Sequence, residues 1–253
     1  MSAAIGLINF IAIVFVYKKV RSVHLMTFEL RDLHRKLREN ELISHFQQGQ
    51  ILRILEHESG SDVPLPAMRG WAASPDFLLT IFRHARVHKP AVIVECSSGS
   101  STVVLARAAE LNGGGKVYSL DHEPVFAEKT RQELERCGLS HRATVIDAPL
   151  VKHRIAGKDW VWYDVSGLPD IGVDLMVVDG PPFTVGELAR YPAGPVIFPR
   201  LRPGAAVYLD DADRESEIEI VKRWAYEFPD FQTSIEYCEK GCSVFKVPAS
   251  PGG

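Results

Sequence analysis

Five short apolar runs, each closed by an acid, constrain this chain more than any other feature: AVIVE (91–95), KVYSLD (116–121), ATVID (143–147), DLMVVD (174–179) and AAVYLDD (205–211). Runs that stay apolar instead of alternating need cover on both faces, and the helix-length segments between them supply it. The pattern predicts a doubly wound α/β fold with a mostly parallel sheet. Ligands of such sheets bind beyond the carboxyl ends of the strands, the edge where all five acids fall. The segment FQTSIEYCEKGCSVFKV (231–247) reads as two further strands joined by a turn at Glu239-Lys240-Gly241, so the sheet ends in an antiparallel β-hairpin. Upstream, SPDFLLTIFRHARV (74–87) has Ser74 as a cap and Pro75 at the first helical position, which predicts a helix leading into the first strand.

The N-terminal part follows different rules. Residues 1–17, MSAAIGLINFIAIVFVY, carry no charge and are followed by KKVR. As a helix this run spans roughly 25 Å, just short of a ~30 Å hydrocarbon core, and Lys18 and Lys19 can snorkel outward. A cleaved signal peptide places its positive charges before the apolar run, whereas here they follow it. The expectation is an uncleaved, single-pass anchor helix at 1–19, with Lys18, Lys19 and Arg21 on the cytoplasmic side of a cell inner membrane and the rest of the chain cytoplasmic. An apolar helix packed at a dimer interface or against the main domain is the alternative. From 20 to 58, Leu30, Leu33 and Leu37, then Phe46, Gln50 and Ile54, recur at spacings of three and four, predicting an amphipathic helical stalk. Residues 20–56 are also where a homo-oligomer could form, although no heptad is sustained long enough to settle it. Gly60, Pro64 and Pro66 mark a linker over 59–67, leaving a main domain at 68–248 and a tail at 249–253.

Composition removes several classes. A net charge of −3 provides no basic surface for nucleic acid. Cys96, Cys137, Cys238 and Cys242 lack the paired spacing of a structural zinc site and read as reduced thiols.

The turn after the first run, CSSGSS (96–101), enters a helix near Thr102. Gly99 permits close backbone approach, and the helix amides with the small hydroxyls of Ser97 and Ser101 suit a carboxylate. Without G-x-G-x-x-G, the turn argues against a nicotinamide dinucleotide.

Across 68–248, this turn, DGPP (179–182), DDADR (210–214) and the closing hairpin resemble the class I S-adenosylmethionine (SAM)-dependent methyltransferases, whose Rossmann-like sheet ends the same way. Within that superfamily the chain resembles a small bacterial group with E-x-G-S-G-x-S-T after the first strand; Ser97 stands where that pattern has its first glycine. The resemblance implies that the CSSGSS turn, with Ser97, Gly99 and Ser101, holds the methionine end of SAM. It makes Glu95, the acid of the first strand, a cofactor-binding residue and Asp121 the acid for both ribose hydroxyls. It gives Asp147 and the Ala148 amide to the adenine, and adds His122 and Asp179 as cofactor contacts. Catechol-type O-methyltransferases hold a divalent ion with acids at the places of Asp179, Asp210 and Asp211, so these three are implied as catalytic residues and as ligands of Mg2+ or another divalent cation. No lysine follows Asp179 where those enzymes keep a base.

Trp71, Trp160, Trp162, Tyr163 and Tyr191 are candidate walls for a sugar or aromatic acceptor, and Arg190 a candidate partner for a phosphate or carboxylate. The implied function is SAM-dependent O-methylation of a small-molecule, saccharide or lipid-linked acceptor at the cytoplasmic membrane face, with metal assistance open. A methyltransferase-like membrane-bound scaffold without turnover is the alternative.

Overall fold

The computed structural model describes residues 2–60, 63–66 and 72–249; the side chains of 2–9 and 11–14 lie outside the described part. Two compact units divide the chain, Met1–Gln47 and Gln48–Gly253.

Helix α1 (Ser2–Ser59) makes up nearly all of the first unit, where Leu30, Leu33 and Leu37 are exposed. Among the described residues no helix is long and apolar enough to cross a membrane. The anchor expected at 1–19 therefore gains no support, and the side chains on which that expectation mostly rests lie outside the described residues.

In the second unit the end of α1 joins the domain. Leu55 is fully buried in the same apolar cluster as Phe77, Leu78, Ile81 and Phe82 of α2 (Pro75–His88). Gln48 exchanges two hydrogen bonds with Asp76, accepting from its amide at 3.1 Å and donating to its carboxylate at 2.9 Å. Ser74 was expected to cap α2, but its hydroxyl makes no cap bond; Asp76 accepts from the Phe77 amide instead.

The predicted strands form β1 (Val92–Cys96), β2 (Lys116–Asp121), β3 (Ala143–Asp147), β6 (Val173–Val178) and β7 (Leu201–Asp210). The tail supplies β8 (Gln232–Glu236) and β9 (Cys242–Lys246). One seven-stranded sheet has the order β3-β2-β1-β6-β7-β9-β8, parallel from β3 to β7, with β9 antiparallel between β7 and β8. Helices α3 (Ser100–Leu111), α4 (Pro124–Arg136) and α6 (Glu215–Glu227), with the short α5 (Ala193–Ile197), make the connections. Two apolar clusters divide the core. One carries α2 and α3; the other carries Trp160, Trp162, Tyr163, Phe198 and Trp224.

The sequence reading omitted a second hairpin, β4 (Leu150–Ile155) and β5 (Lys158–Tyr163). Its turn residues Ala156 and Gly157 both have positive φ, as the favoured two-residue hairpin turn requires. The chain runs β1, β2, β3 outward to one side and resumes beside β1 with β6, so the strand order reverses between β1 and β6. That switch point is where a doubly wound sheet leaves a crevice at its carboxyl edge.

Candidate active site

A cleft of about 1030 Å³ opens at this edge, lined by the turn Ser97–Ser101, by Asp121 and His122, and by Asp179, Arg190 and Asp211. Arg214 and Lys240 line it too.

The turn is braced from below. Glu95 is fully buried, and its Oε2 accepts from Thr102 Oγ1 at 2.5 Å and Ser119 Oγ at 2.7 Å. The Gly99 amide donates to the same Thr102 hydroxyl at 3.0 Å, so one buried carboxylate fixes both sides of the turn. Burial pushes the Glu95 pKa up to about 7, against the hydrogen bonds from Ser101, Thr102 and Ser119. Glu95 is absent from the cleft wall. Its contacts make it a support of the turn, in place of the direct cofactor contact expected of it.

Ser97 takes φ 94°, a backbone region costly for a residue with a Cβ. Its amide donates to Leu120 O at 2.9 Å and its carbonyl accepts from Ser119 Oγ at 2.7 Å, which holds it there. The Ser97 Cβ is packed toward Gly180: a Cβ placed on Gly180 would lie 2.9 Å from it and 2.5 Å from the Tyr163 hydroxyl. Gly99 differs, with no heavy atom within 4 Å of the place its Cβ would occupy, and that open space adjoins the cleft.

Asp121 lines the cleft from the end of β2, with Oδ1 accepting from the Glu123 amide at 2.9 Å and Oδ2 from the Ser98 hydroxyl. His122 lines it too, and its buried Nδ1 has no hydrogen-bond partner among the described residues. The expected adenine pair is placed otherwise. Asp147 is 60% exposed and ion-paired with Arg131 at 2.7 Å, while the Ala148 amide already donates to Asp121 O at 2.7 Å. Neither belongs to the cleft wall, which includes Leu150 from the following strand.

The candidate aromatic walls, by contrast, pack into the core. Trp160, Trp162, Tyr163 and Tyr191 are buried in one cluster, and Trp71 lies outside the described residues. His153 is likewise structural, bonded through Nε2 to Tyr163 O at 2.9 Å.

The three acids converge as expected: Asp179, Asp210 and Asp211 offer oxygens all within 4.8 Å of one another, and Asp179 and Asp211 line the cleft while Asp210 does not. Burial, together with the neighbouring carboxylates, raises the pKa of Asp210; burial also raises that of Asp179, opposed by Arg190. The donor set does not fit a divalent ion as it stands, because Arg190 lies among the acids. Its Nη2 donates to Asp211 Oδ2 at 2.8 Å and to Asp179 Oδ1 at 3.2 Å, and its Nη1 to the Asp210 carbonyl at 2.8 Å. Arg214 takes the other oxygen of Asp211 at 2.9 Å. The sequence had offered Arg190 to a ligand; only the missing lysine after Asp179 hinted that another cation serves this edge. Lys240, read as a turn residue, also reaches the cleft.

Sheet order, switch-point cleft and strand-end acids together define a class I methyltransferase-type α/β domain. Residues 94–212, just under half of the chain, match the sequence model of a family described as a methyltransferase domain. A protein-L-isoaspartate O-methyltransferase from Hyperthermus butylicus is 28% identical over 133 residues, 46% of this chain and 55% of that protein, so the match spans about half of the relative's length. In overall structure the chain is similar to an O-methyltransferase from Bacillus cereus in complex with SAH, with TM-score 0.53, 16% identity, and coverage of 79% of this chain and 90% of that one. It is similar also to an SAH-bound methyltransferase from Podospora anserina, with TM-score 0.54, 13% identity, and coverage of 78% and 87%. The chain thus has the fold of the SAM-dependent methyltransferases of class I, and residues 94–212 match a methyltransferase domain.

Proposed function

We propose that this protein transfers a methyl group from SAM to an oxygen of a small-molecule, saccharide or lipid-linked acceptor. One observation carries the reading: a single cleft is lined by the Ser97–Ser101 turn and Asp121 together with Asp179 and Arg190. When bound, SAM supplies a methyl group on a positively charged sulfur. Asp121 would hold its ribose hydroxyls, two acceptor oxygens facing a vicinal diol. The open side of Gly99 would admit its methionine end against the first amides of α3. Pro182, Val185, Ala72 and Ala73 supply apolar wall that excludes water around the reacting oxygen. Asp179 both lines the cleft and has its pKa raised by burial, which makes its carboxylate the group suited to take a proton from the acceptor.

That the Hyperthermus butylicus relative is an O-methyltransferase supports oxygen as the accepting atom. Placement at the cytoplasmic face of the cell inner membrane is part of the proposal, supported by the uncharged 1–17 run and the basic residues after it. Self-association through residues 20–56 is supported by the exposed leucines of α1. No divalent ion is included, because Arg190 engages the ligands it would need.

Calorimetric titration of the full chain with SAM and SAH tests the cofactor assignment before any acceptor is known. Wild type should bind both, Asp121→Ala should lose at least about tenfold in affinity, roughly 1.4 kcal/mol or more, and Asp147→Ala should lose less. Equal affinity for wild type and Asp121→Ala would remove Asp121 from the site.

A further inference from the structure

The place of Arg190 is fixed by the core, which gives its position among the acids a physical cause. Tyr191, the next residue, is pinned on three sides. Its hydroxyl donates to Glu227 at 2.6 Å, its carbonyl accepts from Trp224 Nε1 at 2.9 Å, and its ring centroid lies 4.5 Å from that of Trp160. The backbone at 190 therefore cannot drift, and the guanidinium it carries is only 4% exposed. Three donated hydrogen bonds reach Asp179, Asp210 and Asp211, and the buried Glu217 faces Nε at 3.8 Å.

Removing two carboxylates and a guanidinium from water is costly, and mutual pairing in this geometry offsets that cost. A divalent ion at the same acids would need several oxygens at about 2.0–2.6 Å. Both oxygens of Asp211 and one of Asp179 are engaged by arginines. Among the described residues, Asp210 Oδ2 and Asp211 Oδ1 are buried without a hydrogen-bond partner, the second ion-paired with Arg214, and two such oxygens beside two guanidinium groups do not make a cage. An ion here would also sit beside the positive charge of the Arg190 guanidinium.

We infer that Arg190 is the resident cation of this acidic edge, and that the acceptor end of the cleft works with a fixed guanidinium where a divalent ion was expected. The inference borrows the word acceptor from the methyl-transfer reading and otherwise stands on the geometry alone. A guanidinium differs from a metal in consequence: it donates hydrogen bonds in a fixed plane, keeps its charge at every working pH, and opens no coordination site for the acceptor oxygen. Arg190 thus acts as a positioning residue, holding Asp179 and Asp211 in place at the cleft wall.

The test is ion binding, which requires neither SAM nor an acceptor. Free Mn2+ is followed by electron paramagnetic resonance as the full-length protein is titrated, in wild type, Asp210→Asn, Arg190→Gln and the Arg190→Gln/Asp210→Asn double variant. The wild type should show no Mn2+ uptake that Asp210→Asn removes. Arg190→Gln should gain one site, at least about tenfold tighter than any in wild type, and the double variant should lose it. Wild-type uptake abolished by Asp210→Asn overturns the inference, and so does a folded Arg190→Gln protein that still takes up no ion. Should Arg190→Gln fail to fold, the wild-type and Asp210→Asn pair decides by itself. Failure of SAM to bind would refute the methyl-transfer reading while leaving these outcomes unchanged.

Discussion

Replacing Glu95 by Gln should flatten the pH dependence of stability. Glu95 is buried beneath the turn, and its pKa rises from 4.5 to about 7 because the charged form loses its water. The folded state therefore holds this proton more tightly than the unfolded chain does. The sign follows from linkage: the contribution is fully present below about pH 4.5 and is lost as pH rises through 7. At roughly 1.4 kcal/mol per pH unit, the loss amounts to about 3 kcal/mol. Gln keeps an oxygen to accept from Thr102 and Ser119 and has no charge to desolvate. Urea unfolding of both proteins at several pH values from 5 to 8, followed by tryptophan fluorescence, should show Glu95→Gln gaining on wild type by about 2–3 kcal/mol across the range. Whatever offset the substitution causes at pH 5, the difference must grow with pH. Two parallel curves would refute the reasoning, because they would mean that Glu95 titrates alike folded and unfolded.

Gly180→Ala places a methyl group 2.5 Å from the Tyr163 hydroxyl and 2.9 Å from the Ser97 Cβ, both held in the packed floor of the turn. A loss of about 1–3 kcal/mol in urea unfolding is expected, together with weaker SAM binding, since Ser97 must move. Leu55→Ala, in the part of α1 that belongs to the second unit, should cost about 2–5 kcal/mol in the same assay; an effect below about 0.5 kcal/mol, typical of a surface site, would show that the end of α1 is not part of the core.

Much of the sheet is legible in the sequence, because a strand covered on both faces must be apolar at every position, and such runs have few other uses. That constraint fixes β2 and β3 at the predicted residues and places β1, β6 and β7 to within a few positions. The β4–β5 hairpin escaped because its strands are half exposed, and Trp160, Trp162 and Tyr163 suggest a ligand wall as readily as a core. That the turn and Asp121 reach the cleft was legible from residue types and order along the chain; the support role of Glu95 was not, since burial is a property of what lies around a residue.

The sequence by itself determined which groups reach the carboxyl edge: strand length and direction put Asp121, Asp179 and Asp210 at strand ends wherever the helices settle. Tertiary structure decided what those groups do. Asp147 turned to Arg131 and the Ala148 amide to Asp121, while Tyr191, pinned against Trp160 and Trp224, carried Arg190 into the acids. Charge pairing depends on distances of a few ångströms between residues far apart in the chain, and those distances are set by packing.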